Sequence, residues 1–152
     1  MAAFRQQYPG LAADELAEVY AIEYPALDGL TIPAYLTLPH GLSPKSARKL
    51  PFVVLPHGGP HARDFRRFDW MAQMLANQGY GVMQMNFRGS TGYGIAFEKA
   101  GRRQWGGVML DDINDSTQWL INNALAEPTR ICTVGEARGG RQHARTPGAD
   151  VD

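Results

Sequence analysis

The sequence predicts an α/β fold in which an antiparallel start to a sheet is followed by parallel strands with crossover helices. Three observations predict it. Two alternating runs meet at Asp28-Gly29, three short continuous apolar runs each end in a glycine-containing loop, and apolar residues at helical spacing lie between those runs. Alternation suits a strand buried on one face, and a continuous apolar run suits a strand buried on both. Strand, helix, strand, helix, strand in that order favours parallel pairing.

Residues 1–14, with Tyr8-Pro9-Gly10 among small and polar neighbours, read as a linker or arm. Residues 15–24 alternate loosely around Val19 and Ile22, and residues 30–38 alternate through Leu30, Ile32, Ala34, Leu36 and Leu38. Asp-Gly between two such runs is a hairpin signal. A Pro/Ser/Lys loop, residues 39–49, leads to the apolar run 51–56 and then to His57-Gly58-Gly59-Pro60-His61. Phe68, Met71, Met74 and Leu75 predict a helix that Asn77-Gln78-Gly79 terminates. Residues 80–85 form the next strand and 86–94 a second glycine-rich loop. Leu110, Ile113, Thr117, Leu120 and Ile121 predict a helix over residues 108–125, broken by Pro128 ahead of a third apolar strand at 130–134. Ligands bind beyond the carboxyl ends of parallel strands, where all three glycine-containing loops fall.

Composition narrows the function classes. Of 152 residues, 44% are hydrophobic and 20% charged, as in a soluble globular protein. Fifteen basic and fifteen acidic residues cancel, giving no reason to expect nucleic acid as a partner. No apolar run reaches the roughly 20 residues that cross a bilayer. The first ten residues lack the apolar core of a signal peptide, so a cytoplasmic location is the default expectation. Cys132 is the single cysteine, and no Cys/His cluster has zinc spacing. His57 and His61 are four apart, but Gly-Gly-Pro between them prevents the helix that would align two ligands. No cofactor is expected. Residues 136–152 hold Arg, Gly and Ala without periodicity and are expected to be disordered.

The loops in order are Leu55-Pro56-His57-Gly58-Gly59-Pro60-His61, Asn86-Phe87-Arg88-Gly89-Ser90-Thr91-Gly92-Tyr93-Gly94, Trp105-Gly106 with Asp111-Asp112, and Arg130-Ile131-Cys132-Thr133-Val134-Gly135. Over residues 15–135 this order resembles the catalytic domain of the prolyl oligopeptidase family of serine peptidases, in its acylaminoacyl-peptidase and dipeptidyl-peptidase-like branch. The resemblance implies an incomplete α/β-hydrolase fold, a peptide substrate, and hydrolysis of short peptides through an acyl-enzyme. It also implies a β-propeller elsewhere in the parent protein, of which only the arm before residue 15 is a candidate trace.

Acyl transfer builds negative charge on a carbonyl oxygen, which preorganised backbone N–H groups stabilise. By resemblance Gly59 supplies one donor, and His57 and Gly58 shape its loop. The second donor is the N–H of Arg138. Arg88 either orients a carboxylate or organises its own loop. Ser90, in Arg88-Gly89-Ser90-Thr91-Gly92, lacks the first glycine of a nucleophile motif. Asp111 and Asp112 suit the start of a helix, and Cys132 is expected to be buried. The family's Gly-x-Ser-x-Gly-Gly elbow is here Gly135-Glu136-Ala137-Arg138-Gly139-Gly140. Ala137 occupies the nucleophile position and cannot attack a carbonyl. Triad Asp and His would follow in chain order, and Asp150, Asp152 and His143 lie too close in sequence to serve. The chain is therefore expected to be inactive, as a degenerate copy or as the product of a frame shift near Gly135. An esterase-like hydrolase fragment and a non-catalytic binding module are the rival readings. Loss of the strands that would follow predicts aggregation.

Overall fold

The computed structural model describes residues 15–59 and 61–135. The expectations for residues 1–14 and 136–152, including Ala137 and Arg138, lie outside the described residues. Five strands, β1 (Val19–Pro25), β2 (Thr31–Thr37), β3 (Leu50–Val54), β4 (Gly81–Met85) and β5 (Ala126–Thr133), form one sheet in the order β1-β2-β4-β3-β5. The hairpin β1–β2 and the pair β2–β4 are antiparallel, whereas β3 pairs parallel with both β4 and β5. This is the mixed α/β sheet predicted above, consistent with an incomplete α/β-hydrolase fold. Gly29 turns the hairpin at φ +86°, a conformation that suits glycine.

Helices α1 (Trp70–Asn77), α2 (Ile95–Ala100) and α3 (Val108–Asn122) connect the strands. The larger core lies under α3. There Ile32, Ala34 and Leu36 of β2, Phe52 and Val54 of β3, and Met83 and Met85 of β4 meet Met109, Ile113 and Leu120. Register places Thr37, Val82 and Val53 on the opposite face, towards α1. Asp69 caps α1, its carboxylate accepting the Ala72 N–H at 2.9 Å, and Gly79 ends that helix at φ +90°.

Four details differ from the sequence reading. The residues of α1 that are buried are Ala72 and Ala76, while Met74 is half exposed; small side chains let the helix approach the sheet. On α3 the buried set includes Asp112 and Ser116, two polar positions. That helix stops at Asn122, because Ala124 takes the left-handed conformation (φ 55°) usually given to glycine, and no glycine marks the end. Consequently β5 begins at Ala126 and contains Pro128, which breaks no helix. Between Leu50↔Ala126 and Phe52↔Ile131 the register shifts, so Pro128 falls in an irregular stretch of an edge strand, where a missing N–H is tolerated. Cys132, finally, is exposed rather than buried. It pairs with Val53 on the α1 face, and no described residue covers that face at the β5 edge.

Candidate functional site

At the carboxyl ends of β3, β4 and β5 lies a cavity of about 920 Å³ lined by His57, Gly58, Gly59, Asp64, Gln84 and Gly135 among others. The first and third glycine-containing loops therefore meet, as their order along the sheet requires. Gly59 takes φ +63°, with open space where a Cβ would stand. Arg138, the other expected donor, is outside the described residues.

His57 is held on two sides. Its ring stacks on Phe87 at 4.5 Å between centroids, and Nε2 lies 2.8 Å from Ser90 Oγ. Ser90 is fully buried, and its hydroxyl donates to the Phe87 carbonyl at 2.6 Å. With that proton committed, the Ser90 oxygen accepts from His57 Nε2–H. The contact is thus the reverse of the one a nucleophile makes with its base, and Ser90 positions His57. Burial lowers the His57 imidazole below its ordinary pKa, and the backbone of Gly58 and Gly59 opposes the shift. Burial thus favours the neutral ring, while Nδ1 lies 3.3 Å from the Gly58 carbonyl, which can only accept.

Arg88 does not line the cavity. Its backbone N–H, Nε and Nη2 all donate to the Asp112 carboxylate at 2.7–3.0 Å, and Nη1 and Nη2 donate to Asp28 at 2.7 and 3.0 Å. Asp112 is fully buried, and Tyr24 donates its hydroxyl to the Asp112 carbonyl at 2.7 Å. Burial pushes the Asp112 carboxyl up and the Arg88 hydrogen bonds oppose the rise. The same bonds push Arg88 up and hold Asp28 down at about 2. Because donation is this complete, Asp112 is the ionised partner of Arg88. Arg88 therefore organises its loop, tying it to α3 and to the hairpin turn.

The sequence reading missed the residues that join the loops. Asn86, fully buried, accepts the Asp64 N–H at 2.7 Å and donates to the Asp64 carbonyl at 3.2 Å and to Tyr93 Oη at 2.8 Å. Arg63 lies over the rings of Phe65 and Tyr93 at 4.7 and 4.6 Å. Together these contacts bind residues 61–69 to residues 86–94. Gly101 packs so closely that a Cβ would stand 2.6 Å from Gly89 Cα.

Asp64 carries the least satisfied carboxylate of the site. Its Oδ2 is sealed from solvent without a hydrogen-bond partner. Burial, with Asp69 adding repulsion, raises its pKa to about 6. The folded state therefore holds the Asp64 proton more tightly than the unfolded chain, whose value is near 3.9. Stability contributed by the protonated form is present below about pH 4 and is lost as pH rises towards 6. Asp64→Asn is expected to flatten this dependence and to stabilise the protein at pH 7 by about 1–2 kcal/mol, allowing for partial exposure. Denaturant melts at pH 4 and pH 7 check it; an equal effect at both rejects the assignment.

Among the described residues no group of three or more His, Cys, Asp or Glu is placed to hold a metal ion, and no helix is long and apolar enough to cross a membrane.

Comparison with known proteins places these features. Residues 66–144 match the family model described as the prolyl oligopeptidase family, a stretch that includes Gly135 to Gly140. The chain is 38% identical to dipeptidyl aminopeptidase BIII of Pseudoxanthomonas mexicana, over 87% of this chain and 20% of that protein. It is 34% identical to dipeptidyl peptidase family member 6 of Caenorhabditis elegans, over 90% of this chain and 21% of that one. A puromycin-hydrolyzing peptidase of Mycobacterium tuberculosis superposes with a TM-score of 0.73 at 32% identity, over 82% of this chain and 19% of that one. The chain spans about a fifth of the length of these relatives.

Proposed function

Because this chain belongs to the prolyl oligopeptidase family, we propose that it is part of a serine-peptidase catalytic domain that has kept the oxyanion side of the site and lost the nucleophile. The parent activity is hydrolysis of short peptides: a serine oxygen adds to the scissile carbonyl, the amine leaves with a proton, and water then releases the acyl group. In this chain the Gly59 N–H is read as one oxyanion donor and, from its place in the family's motif, the Arg138 N–H as the second.

One observation carries the reading: His57, Gly58, Gly59 and Gly135 line a single cavity at the carboxyl ends of the strands. Ala137 follows two residues after Gly135, where the family places serine. No base for it stands in the described site, since His57 Nε2–H is donated to Ser90. An intact site stripped of its triad retains about 10³–10⁴ over water, which sets an upper bound for this chain.

The purified protein is expected to remain unlabelled by a fluorophosphonate probe, and Ala137→Ser alone is expected not to change that. Intact-mass spectrometry reads the result. Stoichiometric labelling of the unmodified chain at Ser90 or any other serine overturns the reading.

A further inference from the structure

Three arginines stand at the rim of the cavity without a carboxylate of their own. Asp64 and Asp69 line the cavity, so residues 61–69 border it, and Arg63, Arg66 and Arg67 share that segment. Among the described residues none of the three takes part in an ion pair. The acids of the segment are engaged otherwise: the Asp69 carboxylate accepts the Ala72 N–H, and Asp64 Oδ2 is sealed from solvent. Arg67 is near enough to oppose the rise in the Asp64 pKa but does not pair with it. Two of the arginines share one aromatic ring. The guanidinium carbons of Arg63 and Arg67 lie over Phe65 at 4.7 and 5.6 Å, and that of Arg63 lies over Tyr93 at 4.6 Å. Stacking holds a guanidinium by its face and leaves the donors on its edge available. Arg63 donates Nη2 to Tyr93 Oη at 3.3 Å, but its Nε is sealed without a partner. An unpaired buried donor lowers stability, so its own hydrogen bonds do not explain the placing of Arg63. Arg66 is exposed and has no ring beneath it among the described residues.

We propose that Arg63 and Arg67, held on the Phe65 ring, bind a carboxylate of a peptide lying in the cavity, so that the site takes acidic peptides. The proposal rests on reading the cavity as a peptide site. Two guanidiniums on one ring bring planar donor forks together, and such forks match the two oxygens of a carboxylate. The preference is local, because the fifteen basic and fifteen acidic residues of the chain leave no net charge to draw anions in general. A peptide fits better than a nucleic acid. The cavity lining is Leu55, Pro56, Met71 and Val134 beside the Gly58–Gly59 backbone, with Asp64 and Asp69 but no lysine or arginine. That lining accepts an uncharged peptide chain and repels a run of phosphates.

Isothermal titration of the full chain at low salt tests it with acetyl-Ala-Ala-Asp-Ala-Ala-amide and its Asn counterpart. Acetyl-Ala-Ala-Ala with a free or an amidated carboxyl terminus separates a terminal carboxylate from a side-chain one. At least one carboxylate peptide is expected to bind about tenfold more tightly than its neutral counterpart, and which one does so identifies the source. Arg67→Gln is expected to remove most of that preference. Arg66→Gln makes the same change in net charge and should keep it. Phe65→Leu changes no charge, yet should reduce the preference by about threefold by freeing both guanidiniums, and Arg67→Lys should fall short of the unmodified chain. All four changes are at exposed positions, and unchanged thermal midpoints confirm that each variant is folded. Equal losses in Arg66→Gln and Arg67→Gln overturn the proposal, as does full preference in both Phe65→Leu and Arg67→Lys. So does tighter binding of a short single-stranded DNA than of any peptide. Binding of the neutral peptides with no gain from either carboxylate overturns the rim assignment alone, whereas no binding of any peptide overturns the peptide reading with it. Fluorophosphonate labelling tests catalytic silence separately.

Discussion

Arg88→Ala is expected to destabilise the protein by about 3–5 kcal/mol, the usual cost of leaving one member of a buried ion pair without its partner. The stranded group is Asp112, fully buried on α3. Removing the guanidinium deletes the donors that keep its carboxylate charged, leaving only the Arg88 backbone N–H. Asp112→Ala should cost less, because Arg88 keeps Asp28 on Nη1 and Nη2. Asp28→Ala should cost much less, under about 1 kcal/mol, because Asp28 is 53% exposed and water replaces it. Acid adds a check on sign. Asp28 is held at about 2, so its contribution is in place above about pH 4 and is lost only as pH falls through about 2. Denaturant melts of the three variants at pH 7 decide the matter; equal losses at Asp28 and Asp112 reject the ranking.

Phe52→Ala is expected to be comparably severe, at about 3–5 kcal/mol. Phe52 is fully buried and faces Gly81 directly across the parallel pair. Its ring fills the space a side chain on β4 would take: a Cβ on Gly81 would stand 2.3 Å from the ring. Gly81→Ala alone should therefore also destabilise, by about 1–3 kcal/mol through overpacking. The two sites are coupled. Combining Phe52→Leu with Gly81→Ala should cost less than the sum of the single changes, since the smaller side chain makes room for the new methyl. Strict additivity in a double-mutant cycle would show that the ring does not occupy that space.

Much of the sheet was legible because its signals are local. Alternation on both sides of Asp28-Gly29 specified β1 and β2, and the continuous apolar runs located β3 and β4. What was not legible depended on neighbours distant in sequence. Pro128 reads as a stop unless β5 is known to be an edge strand with an irregular register. Cys132 reads as buried unless one knows that its face beside β5 is open. The short helix α2 buries no side chain, so no apolar periodicity announces it. At the site, the glycine loops were readable from their spacing. Asn86 and Asp64 were not, because nothing in an Asn or an Asp reveals that the other lies opposite. The contact between His57 and Ser90 was likewise hidden, and its direction follows only once Ser90 is seen to donate to Phe87.

The strand order has a consequence for how the molecule is made. Two pairs, β1–β2 and β3–β4, join strands consecutive in the chain; β2 waits for β4, and the far edge of β3 waits for β5, whose Cys132 pairs with Val53. Such non-local pairings close large loops and make folding slow. At a ribosome adding about 5–20 residues per second, β3 emerges with Phe52, Val53 and Val54 several seconds before residues 126–133 exist to pair with it. During that interval an apolar strand lacks its partner on that edge, in a form prone to intermolecular pairing. Holding that edge during synthesis, with a chaperone or a slower-growing host, should raise the soluble yield more than any substitution made in the finished fold.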